Sequence, residues 1–360
     1  MALSSIYESF IANFENKLIT SAIFLDIAKA FDSVNHQILL KKLECYGIRG
    51  LPHSLMQSYL SDRYQYTLVD GQRSSLLPIS CGVPQGSVLG PFLFSIFLND
   101  LPKVTCMEVT LFADDACFNF AHHNSNILEQ QVNQELEKIS TWFQDNKLTL
   151  NVEKTNFMLI HRRNQPIELN LKLNGIKITQ KDQIKYLGIF IDEKLNWKPH
   201  INSCITKLNK CMWAITKLRP YTSLSTLRLV YYSLAYPYIQ YCISSWGGAC
   251  KTTLQPLLVK QKLLVKTMLQ QSYTSPSSPL FHQLGLLKLQ DVYKFQIGKL
   301  MYNQIRKNNV ICQNLSSLPA VHSYNTRSQI NLIISFRLLA LIWGKHRSVI
   351  VGQFCGILCQ

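Results

Sequence analysis

Acidic side chains are almost absent from the second half of this 360-residue sequence. Residues 194–360 contain 20 lysines and arginines but a single acidic residue, Asp291, whereas residues 1–193 contain 17 basic and 20 acidic side chains. Drift in composition with solvated lysines explains a modest imbalance, but it does not explain one of this size. The net charge of +16 therefore comes from the second half and predicts a surface there that faces a polyanion, with nucleic acid as the favoured partner.

The absence of paired cysteines and of targeting segments indicates the cellular compartment in which the protein is expected. The eleven cysteines include no C-x-x-C pair, and the closest groupings lack the zinc-ligand spacing with nearby histidines. Scattered, unpaired cysteines are typical of a reducing environment, so we expect an intracellular protein of the nucleus, the cytoplasm or both. The N-terminus does not resemble a signal peptide, and the apolar stretch at residues 330–343 is too short to span a bilayer. We therefore expect no membrane segment.

The order of predicted elements indicates an α/β (α+β) fold for residues 1–197. The chain is 47% hydrophobic, which excludes disorder as its main state. A buried strand is predicted before Asp26, hairpins at 64–79 and 107–120, helices from Val88 and from about Ser125, and a strand over 148–160. This alternation suggests a ferredoxin-like βαββαβ core. Beyond Trp197 the hydrophobic period becomes helical, and Pro276 and Pro279 indicate a loop between two of the later helices.

Three aspartates are candidates for chemistry. Asp26 ends an apolar strand, while Asp114 and Asp115 are adjacent at the predicted tip of a hairpin. Neighbouring carboxylates repel one another, and Mg²⁺ prefers such hard oxygen ligands. Two ions held about 4 Å apart would stabilise the attacking and leaving oxygens of a phosphoryl transfer. The alternative for an isolated pair is a solvated Asp-Asp turn.

Five motifs occur in the order and spacing of reverse transcriptases: FLDIAKAFDSVNH, GVPQGSVLGP, FADD, LNVEKT and KYLGIFID. The sequence resembles the non-LTR retrotransposon class, and most of all its jockey-like members. The motifs cover about residues 22–195, and a weaker likeness continues to VHSYNTRS at 321–328. The resemblance implies a right-hand polymerase palm with partial fingers in residues 1–197, a basic, all-helical thumb and C-terminal region in 198–325, and a divergent tail in 326–360.

The resemblance also implies a reaction and its partners. It implies an RNA-directed DNA polymerase that adds dNTPs to the 3′-hydroxyl of a DNA primer on an RNA template. Two Mg²⁺ ions would be the cofactors, with Mn²⁺ as an alternative. Asp26, Asp114 and Asp115 would be both the catalytic residues and the metal ligands. Phe31 occupies the place of the steric gate that selects deoxynucleotides, and we expect Asp32, one position beyond it, to be structural.

Further roles are implied motif by motif. The loop that positions nucleotide and template would consist of Gly82, Pro84, Gln85, Gly86 and Ser87. Glycines allow close approach of backbone, and a helix beginning at Val88 would offer N–H groups to phosphate. Lys154 is either a catalytic lysine near the departing pyrophosphate or a solvated residue at a strand edge. Leu187 and Gly188 resemble the primer grip.

The helical region that follows suggests contact with a template–primer duplex. Lys207, Lys210 and Lys217 are predicted on one helix face, where they would bind the sugar–phosphate backbone without reading sequence. Trp213 and Tyr221 either stack on bases or pack in the core, and their helical spacing favours the core.

Two departures from the family pattern bear on activity. Only about 20 residues precede the first catalytic strand, where a complete fingers region normally stands, and no segment is long enough for an endonuclease. The sequence therefore suggests a truncated open reading frame of a mobile element. The alternative hypothesis is a catalytically incompetent nucleic-acid-binding remnant.

Overall fold

The computed structural model describes residues 2–163 and 165–306. The chain divides into two compact units between Leu195 and Asn196, close to the boundary predicted at 197. The 321–328 motif, the 330–343 stretch and the proposed tail at 326–360 lie outside the described residues. Within the described ranges no helix combines the length and the apolar character that crossing a membrane requires.

The first unit combines helices with short and long strands. In chain order its elements are α1 (Ala2–Glu15), β1 (Ile19–Leu25), α2 (His36–Cys45), α3 (Leu51–Leu60), β2 (Tyr64–Gln65), β3 (Leu68–Val69), β4 (Gln72–Arg73), β5 (Leu77–Pro78), α4 (Leu89–Leu98), β6 (Glu108–Phe112), β7 (Asp115–His122), α5 (Ser125–Asp145), β8 (Asn156–Ile160), β9 (Lys172–Leu173), β10 (Ile176–Lys177), β11 (Thr179–Gln180), β12 (Gln183–Tyr186) and β13 (Ile189–Asp192).

The central sheet has the strand order β11-β8-β1-β7-β6. Strand β1 lies between β7 and β8 and is antiparallel to both, and β6 and β7 form a hairpin at one edge. Without the short, parallel β11, the four longer strands take the spatial order fourth, first, third, second of a βαββαβ unit. The predicted ferredoxin-like core is therefore confirmed.

The two faces of this sheet are covered differently. Ile23 and Leu25 of β1 join the main hydrophobic core, to which α2, α4 and α5 contribute. Because side chains alternate along a strand, Phe24 points to the opposite face. There the ring of Tyr186, from the hairpin β12–β13, lies 5.0 Å from the ring of Phe24. Residues on that second face of β1, such as Ala22, are buried as well.

The predicted hairpin at 64–79 is confirmed as two short antiparallel pairs, β2 with β5 and β3 with β4. Its turn is Asp70-Gly71, with positive φ at both residues, as a two-residue hairpin turn requires. The strand predicted over 148–160 is wrong in extent, since only Asn156–Ile160 is a strand. The preceding residues form a turn because the side chains of Asn151 and Thr155 bond to the local backbone, which competes with strand pairing.

The second unit is helical throughout its described residues, as predicted. Its helices are α6 (Lys198–Leu218), α7 (Leu224–Val230), α8 (Tyr236–Gln240), α9 (Ile243–Trp246), α10 (Lys251–Met268), α11 (Ser277–Leu284) and α12 (Leu289–Arg306), with a π-helical turn between α7 and α8. Two expectations need correction here. Pro276 lies at the end of a loop between α10 and α11, as predicted, but Pro279 does not lie in a loop, because α11 begins directly after Pro276 and holds Pro279 in its first turn, where proline is tolerated.

Trp213 and Tyr221 do not pack in the core, which corrects the second expectation. Their exposed fractions are 67% and 87%. The buried stripe of α6 is already complete without them; its members are His200, Ile201, Cys204, Leu208, Cys211 and Ile215. Trp213 falls two residues from the nearest members of that stripe, which places it on the opposite side of the helix.

Candidate active site

The strand register brings Asp26 and Asp115 together. Leu25 of β1 pairs with Ala116 of β7, so one further step along the two antiparallel strands places Asp26 opposite Asp115. Leu25 and Ala116 point into the main core, and the two aspartates therefore point to the other face. Directly opposite residues have Cβ atoms about 5 Å apart. Asp26 on the β1 side thus faces Asp115, a member of the Asp-Asp pair, across the paired strands β1 and β7.

Asp114 lies in the two-residue loop that joins β6 and β7. The loop is closed by pairing of Phe112 with Asp115, and it consists of Ala113 and Asp114. Ala113 has a φ of 53°, which is unfavourable for a residue with a Cβ by about 1–3 kcal/mol. Both aspartates of the hairpin are exposed to solvent. The strained turn thereby holds Asp114 beyond the end of the strand, next to Asp115.

The electrostatics agree with this placement. The pKa of Asp115 is raised, first by partial removal of its carboxyl group from water and then by the negative charges of Asp114 and Asp26. In the described ranges no three or more histidine, cysteine, aspartate or glutamate side chains already converge as a metal cage. The residues nonetheless fit a divalent cation of the kind that binds one or two carboxylates and completes its shell with substrate phosphates. Such a cation would offset the repulsion that raises the pKa of Asp115.

The backbone of Asp26 is held by the turn that precedes β8. The N–H of Asp26 donates to Oγ1 of Thr155 at 3.4 Å, and the N–H of Asn151 donates to the carbonyl of Asp26 at 2.9 Å. The Thr155 hydroxyl donates in turn to the carbonyl of Asn151 at 2.8 Å. Lys154 is exposed on the same turn, where its N–H donates to Oδ1 of Asn151 at 3.3 Å. Sequence reasoning missed Thr155, although it directly follows Lys154 in the LNVEKT motif.

The glycine-rich loop is bonded to the segment that follows Asp26. The N–H of Val83 donates to the carbonyl of Phe31 at 2.8 Å, and Nε2 of Gln85 donates to Oδ1 of Asp32 at 2.8 Å. Gly82 has a φ of 90°, and a Cβ built there would lie 2.8 Å from the carbonyl oxygen of Asp32. Only glycine allows this approach without a shift of backbone. The expected structural role of Asp32 has a concrete contact in its bond to Gln85.

The helix after this loop begins at Leu89, one residue later than predicted. The Ser87 hydroxyl accepts the N–H of Gly90 at 2.9 Å and donates to the carbonyl of Pro84 at 2.7 Å. One of the N–H groups expected to face phosphate is therefore already bonded within the loop. The ring of Phe31, the steric-gate candidate, is half-buried.

Helix α4 also supports the gate candidate. The ring centroids of Phe31 and Phe94 are 4.7 Å apart, and Phe94 is fully buried. Phe31 is therefore anchored on the core through Phe94, while the residue as a whole remains partly accessible. The two roles considered for this residue, core aromatic and gate, are compatible in this geometry.

The hairpin β12–β13 carries the primer-grip candidates at its turn. Leu187 and Gly188 form a two-residue loop with φ values of 45° and 81°, a combination that favours glycine or asparagine and is unfavourable for leucine. Tyr186, directly before the turn, packs on Phe24. Burial raises the pKa of Tyr186, with further contributions from Cys117 and Asp115 nearby. The turn is therefore fixed close to the aspartates.

Tyr186 is a second residue that sequence reasoning missed. Its side chain is buried, and its hydroxyl makes no hydrogen bond with the described residues. Its position between the KYLGIF turn and the second face of the sheet could not be read from the sequence, because the contact with Phe24 joins segments far apart in the chain.

The predicted backbone-binding lysines belong to the second unit. Lys210 and Lys217 are exposed on α6, and the ammonium group of Lys207 lies 4.8 Å from the centroid of the Tyr238 ring. These positions leave all three lysines at the surface of α6, on the side away from its buried stripe or flanking that side.

Comparison with known proteins agrees with the motifs. The family model described as "Reverse transcriptase (RNA-dependent DNA polymerase)" matches residues 3–191. The chain is 27% identical over 321 residues to the probable RNA-directed DNA polymerase from transposon BS of Drosophila melanogaster. That alignment covers 85% of this chain and 35% of the relative. It is 30% identical over 271 residues to the RNA-directed DNA polymerase from mobile element jockey of Drosophila funebris, covering 70% of this chain and 28% of the relative.

The chain thus spans about a third of the length of the curated relatives it matches. Among solved structures, a telomerase from Candida albicans in complex with a fragment of telomeric RNA aligns with a TM-score of 0.45 and 12% identity, over 79% of this chain and 53% of that one.

Reverse transcriptases as a family use divalent metal ions and RNA templates. Because the family model matches more than half of its residues, the chain belongs to the reverse transcriptase (RNA-dependent DNA polymerase) family.

Proposed function

We propose that this chain carries the polymerase site of a non-LTR retrotransposon reverse transcriptase and extends a DNA primer on an RNA template. The single observation that carries the proposal is the register that sets Asp26 opposite Asp115, with Asp114 in the adjoining turn. The raised pKa of Asp115 supports it, because both other carboxylates contribute to that rise.

The reaction would be a nucleotidyl transfer. The 3′-oxygen of the primer forms a bond to the α-phosphorus of a dNTP, and the bond from that phosphorus to the oxygen bridging to the β-phosphate breaks. Pyrophosphate leaves, and the proton of the 3′-hydroxyl passes to solvent. Two Mg²⁺ ions, when bound, would stabilise the charge on the attacking and leaving oxygens. Asp26 and Asp115 would hold them, with Asp114 as the third carboxylate.

The surrounding elements have matching roles in this proposal. The accessible part of the Phe31 ring would meet the 2′-position of the incoming sugar. The loop from Gly82 to Ser87 would contact the nucleotide and the template. It would do so next to the segment that follows β1. The turn at Leu187 and Gly188 would meet the primer strand, and Lys154 would approach the departing pyrophosphate from the turn that holds Asp26.

Primer extension with the full chain tests the proposal. An RNA template annealed to a DNA primer is incubated with dNTPs and Mg²⁺, and the wild type is compared with Asp26→Asn. Asp182→Asn is the matched control, because it makes the same chemical change at an exposed aspartate at the base of the β12–β13 hairpin. We expect extension by the wild type and by Asp182→Asn, and loss of at least a hundredfold in Asp26→Asn, since electrostatic stabilisation is usually the largest contribution to such catalysis.

Circular dichroism of all three proteins establishes that they are folded. A folded wild type that extends no primer, or that extends it as well after Asp26→Asn, would refute the proposal. A folded wild type that binds template–primer but is inactive would support the alternative of a binding remnant. The same assay run with Mg²⁺, with Mn²⁺ and with Ca²⁺ tests the identity of the metal. Activity is expected with Mg²⁺ and with Mn²⁺.

A further inference from the structure

The exposed side of α6 carries basic and aromatic side chains in a regular arrangement. Lys210, Trp213, Lys217 and Tyr221 follow one another at intervals of three, four and four residues. In a helix these intervals place residues on one face, and the short 3-10 turn at Arg219–Tyr221 continues the line. We call these four residues the α6 stripe. All four are exposed, and they lie opposite the buried stripe of the same helix.

The exposure of the two rings calls for an explanation. A surface tryptophan at 67% exposure and a tyrosine at 87% place large apolar areas in water. Single exposed apolar residues are ordinary, but here two aromatics alternate with two lysines along one line. Basic side chains interleaved with aromatic rings are the arrangement that binds single-stranded nucleic acid, because every unpaired base offers a face for stacking.

The charge of the residues around the α6 stripe indicates what kind of partner the stripe binds. Between residues 194 and 360 the only acidic residue is Asp291, and its carboxylate lies 4.0 Å from the ammonium group of Lys294 within α12. Nothing acidic therefore stands near the α6 stripe in sequence to neutralise Lys210 and Lys217. A polyanion with accessible rings matches both the charge and the exposed aromatics, whereas an apolar protein partner would leave the lysines without counter-charges.

We propose that the α6 stripe binds an unpaired stretch of nucleic acid, with bases stacked on Trp213 and Tyr221 and phosphates contacting Lys210 and Lys217. The two rings are eight residues apart, which is about 12 Å along a helix. Stacked nucleotides rise by roughly 3.4 Å along a strand, so the stripe matches about four nucleotides. A duplex cannot use the rings in this way, because its bases are already paired and stacked.

The inference is separate from the proposed chemistry. It concerns the second unit alone and requires neither metal nor dNTP. A template or primer strand that extends beyond the paired region supplies the unpaired bases in either case, as RNA or as DNA. The stripe would therefore hold a strand before or after it enters a duplex, which is a different task from gripping the duplex backbone.

Equilibrium binding of the full chain tests the inference. Fluorescence anisotropy with labelled single-stranded RNA, single-stranded DNA and a blunt duplex is measured in the presence of EDTA. Trp213→Ala is compared with Trp213→Phe, which keeps a stacking ring, and with Tyr273→Ala, which removes another ring of the second unit that is 71% exposed. Alanine replacement of a stacking aromatic weakens single-strand binding by about 5- to 150-fold.

We expect that loss in Trp213→Ala and Tyr221→Ala for at least one of the single strands, near-normal binding in Trp213→Phe and Tyr273→Ala, and no change for the duplex. Loss for RNA only, or for DNA only, identifies the strand and supports the inference. Equal weakening of single strand and duplex in Trp213→Ala, or no weakening of either, would overturn it.

Two further measurements sharpen the test. The described tryptophans other than Trp213, namely Trp142, Trp197 and Trp246, are buried, so a single strand should quench the indole fluorescence of the wild type far more than that of Trp213→Phe. Lys210→Gln and Lys217→Gln should each lower the slope of log K against log salt by about 0.7. Asp26→Asn should bind as the wild type does, which separates this result from any failure of polymerisation.

Discussion

The three facing carboxylates lower the stability of the metal-free first unit, and Asp115→Asn should therefore raise it. Asp26 lies opposite Asp115, and Asp114 is its neighbour in the chain. Two charges about 5 Å apart interact by roughly 3 kcal/mol at an effective dielectric constant of 20 and by less than about 1 kcal/mol in water. Because the hairpin aspartates are exposed, the lower figure applies, and screening reduces it further. We expect a gain of about 0.5–1 kcal/mol near neutral pH.

The pH dependence gives the sign. The pKa of Asp115 is raised in the folded protein, so the folded state takes up a proton more readily than the unfolded chain does. The destabilisation is present at pH values above the folded pKa and disappears as the pH falls below the unfolded value of about 3.9. The advantage of Asp115→Asn over the wild type should therefore be full near neutral pH and vanish below about pH 3.5.

Mg²⁺ should reverse the order of stabilities. A ligand that binds only the folded state stabilises it in proportion to the logarithm of one plus its concentration over Kd, and the wild type has the more complete carboxylate set. Differential scanning calorimetry with EDTA and with Mg²⁺ measures both effects. A domain of this size shifts its Tm by about 2–4 °C per kcal/mol, so the gain without metal should be about 1–4 °C.

Asp182→Asn serves again as the control, since it makes the same chemical change at an exposed aspartate outside the group of Asp26, Asp114 and Asp115. The reasoning fails if Asp115→Asn is no more stable than this control without metal near neutral pH. It also fails if the gain persists at acidic pH, where the carboxylates are protonated in either protein.

Three other changes probe the parts that hold the site. Gly82→Ala should lower the free energy of unfolding by about 1–3 kcal/mol and impair primer extension, because the new Cβ meets the backbone of Asp32; urea unfolding and extension measure the two effects. Thr155→Val should lower kcat for extension with little change in KM, because it removes the hydroxyl that accepts the N–H of Asp26, and steady-state kinetics measures both constants. Tyr186→Phe should raise the free energy of unfolding of the metal-free protein by up to about 1 kcal/mol, because its buried hydroxyl bonds to none of the residues that the structure describes, and urea unfolding measures this gain.

A matched variant tests whether each effect comes from the contact named. Gly86→Ala also replaces a glycine of positive φ, but nothing lies within 4 Å of the new Cβ, so it should cost less than Gly82→Ala. Thr155→Ser keeps the hydroxyl and should restore kcat. Equal effects of the two alanine variants, failure of rescue by serine, or a loss of stability in Tyr186→Phe would each contradict the corresponding contact.

The sequence predicted much of the first unit because the signals there are local. The hydrophobic strand before Asp26, the turn residues Asp70 and Gly71, and the alternation of elements were sufficient for the ferredoxin-like core. Trp213 was placed wrongly because period alone does not say which of two helix faces is buried when both carry large side chains. The answer depended on which residues of other helices fill the core, and that is tertiary information.

Contacts between distant segments were equally out of reach. The bond from Asp26 to Thr155 spans 129 positions, and the packing of Tyr186 on Phe24 spans even more of the chain. Nothing in the local sequence distinguishes Thr155 or Tyr186, since a threonine in a turn and a tyrosine before a hairpin loop are ordinary residues. Motif resemblance placed both of them close to functional positions without identifying what they touch. Only the fold supplies the reason for their presence.

Several features around the aspartates oppose the stability of the first unit. Ala113 and Leu187 occupy backbone conformations unfavourable for them, Tyr186 buries a hydroxyl that has no hydrogen-bond partner among the described residues, and Asp115 faces two like charges. Each is locally unfavourable by the order of 1 kcal/mol. Such local costs are expected of a site in which metal, nucleotide and primer would supply the missing charges and partners, because a local cost persists in a fold where the bound state offsets it.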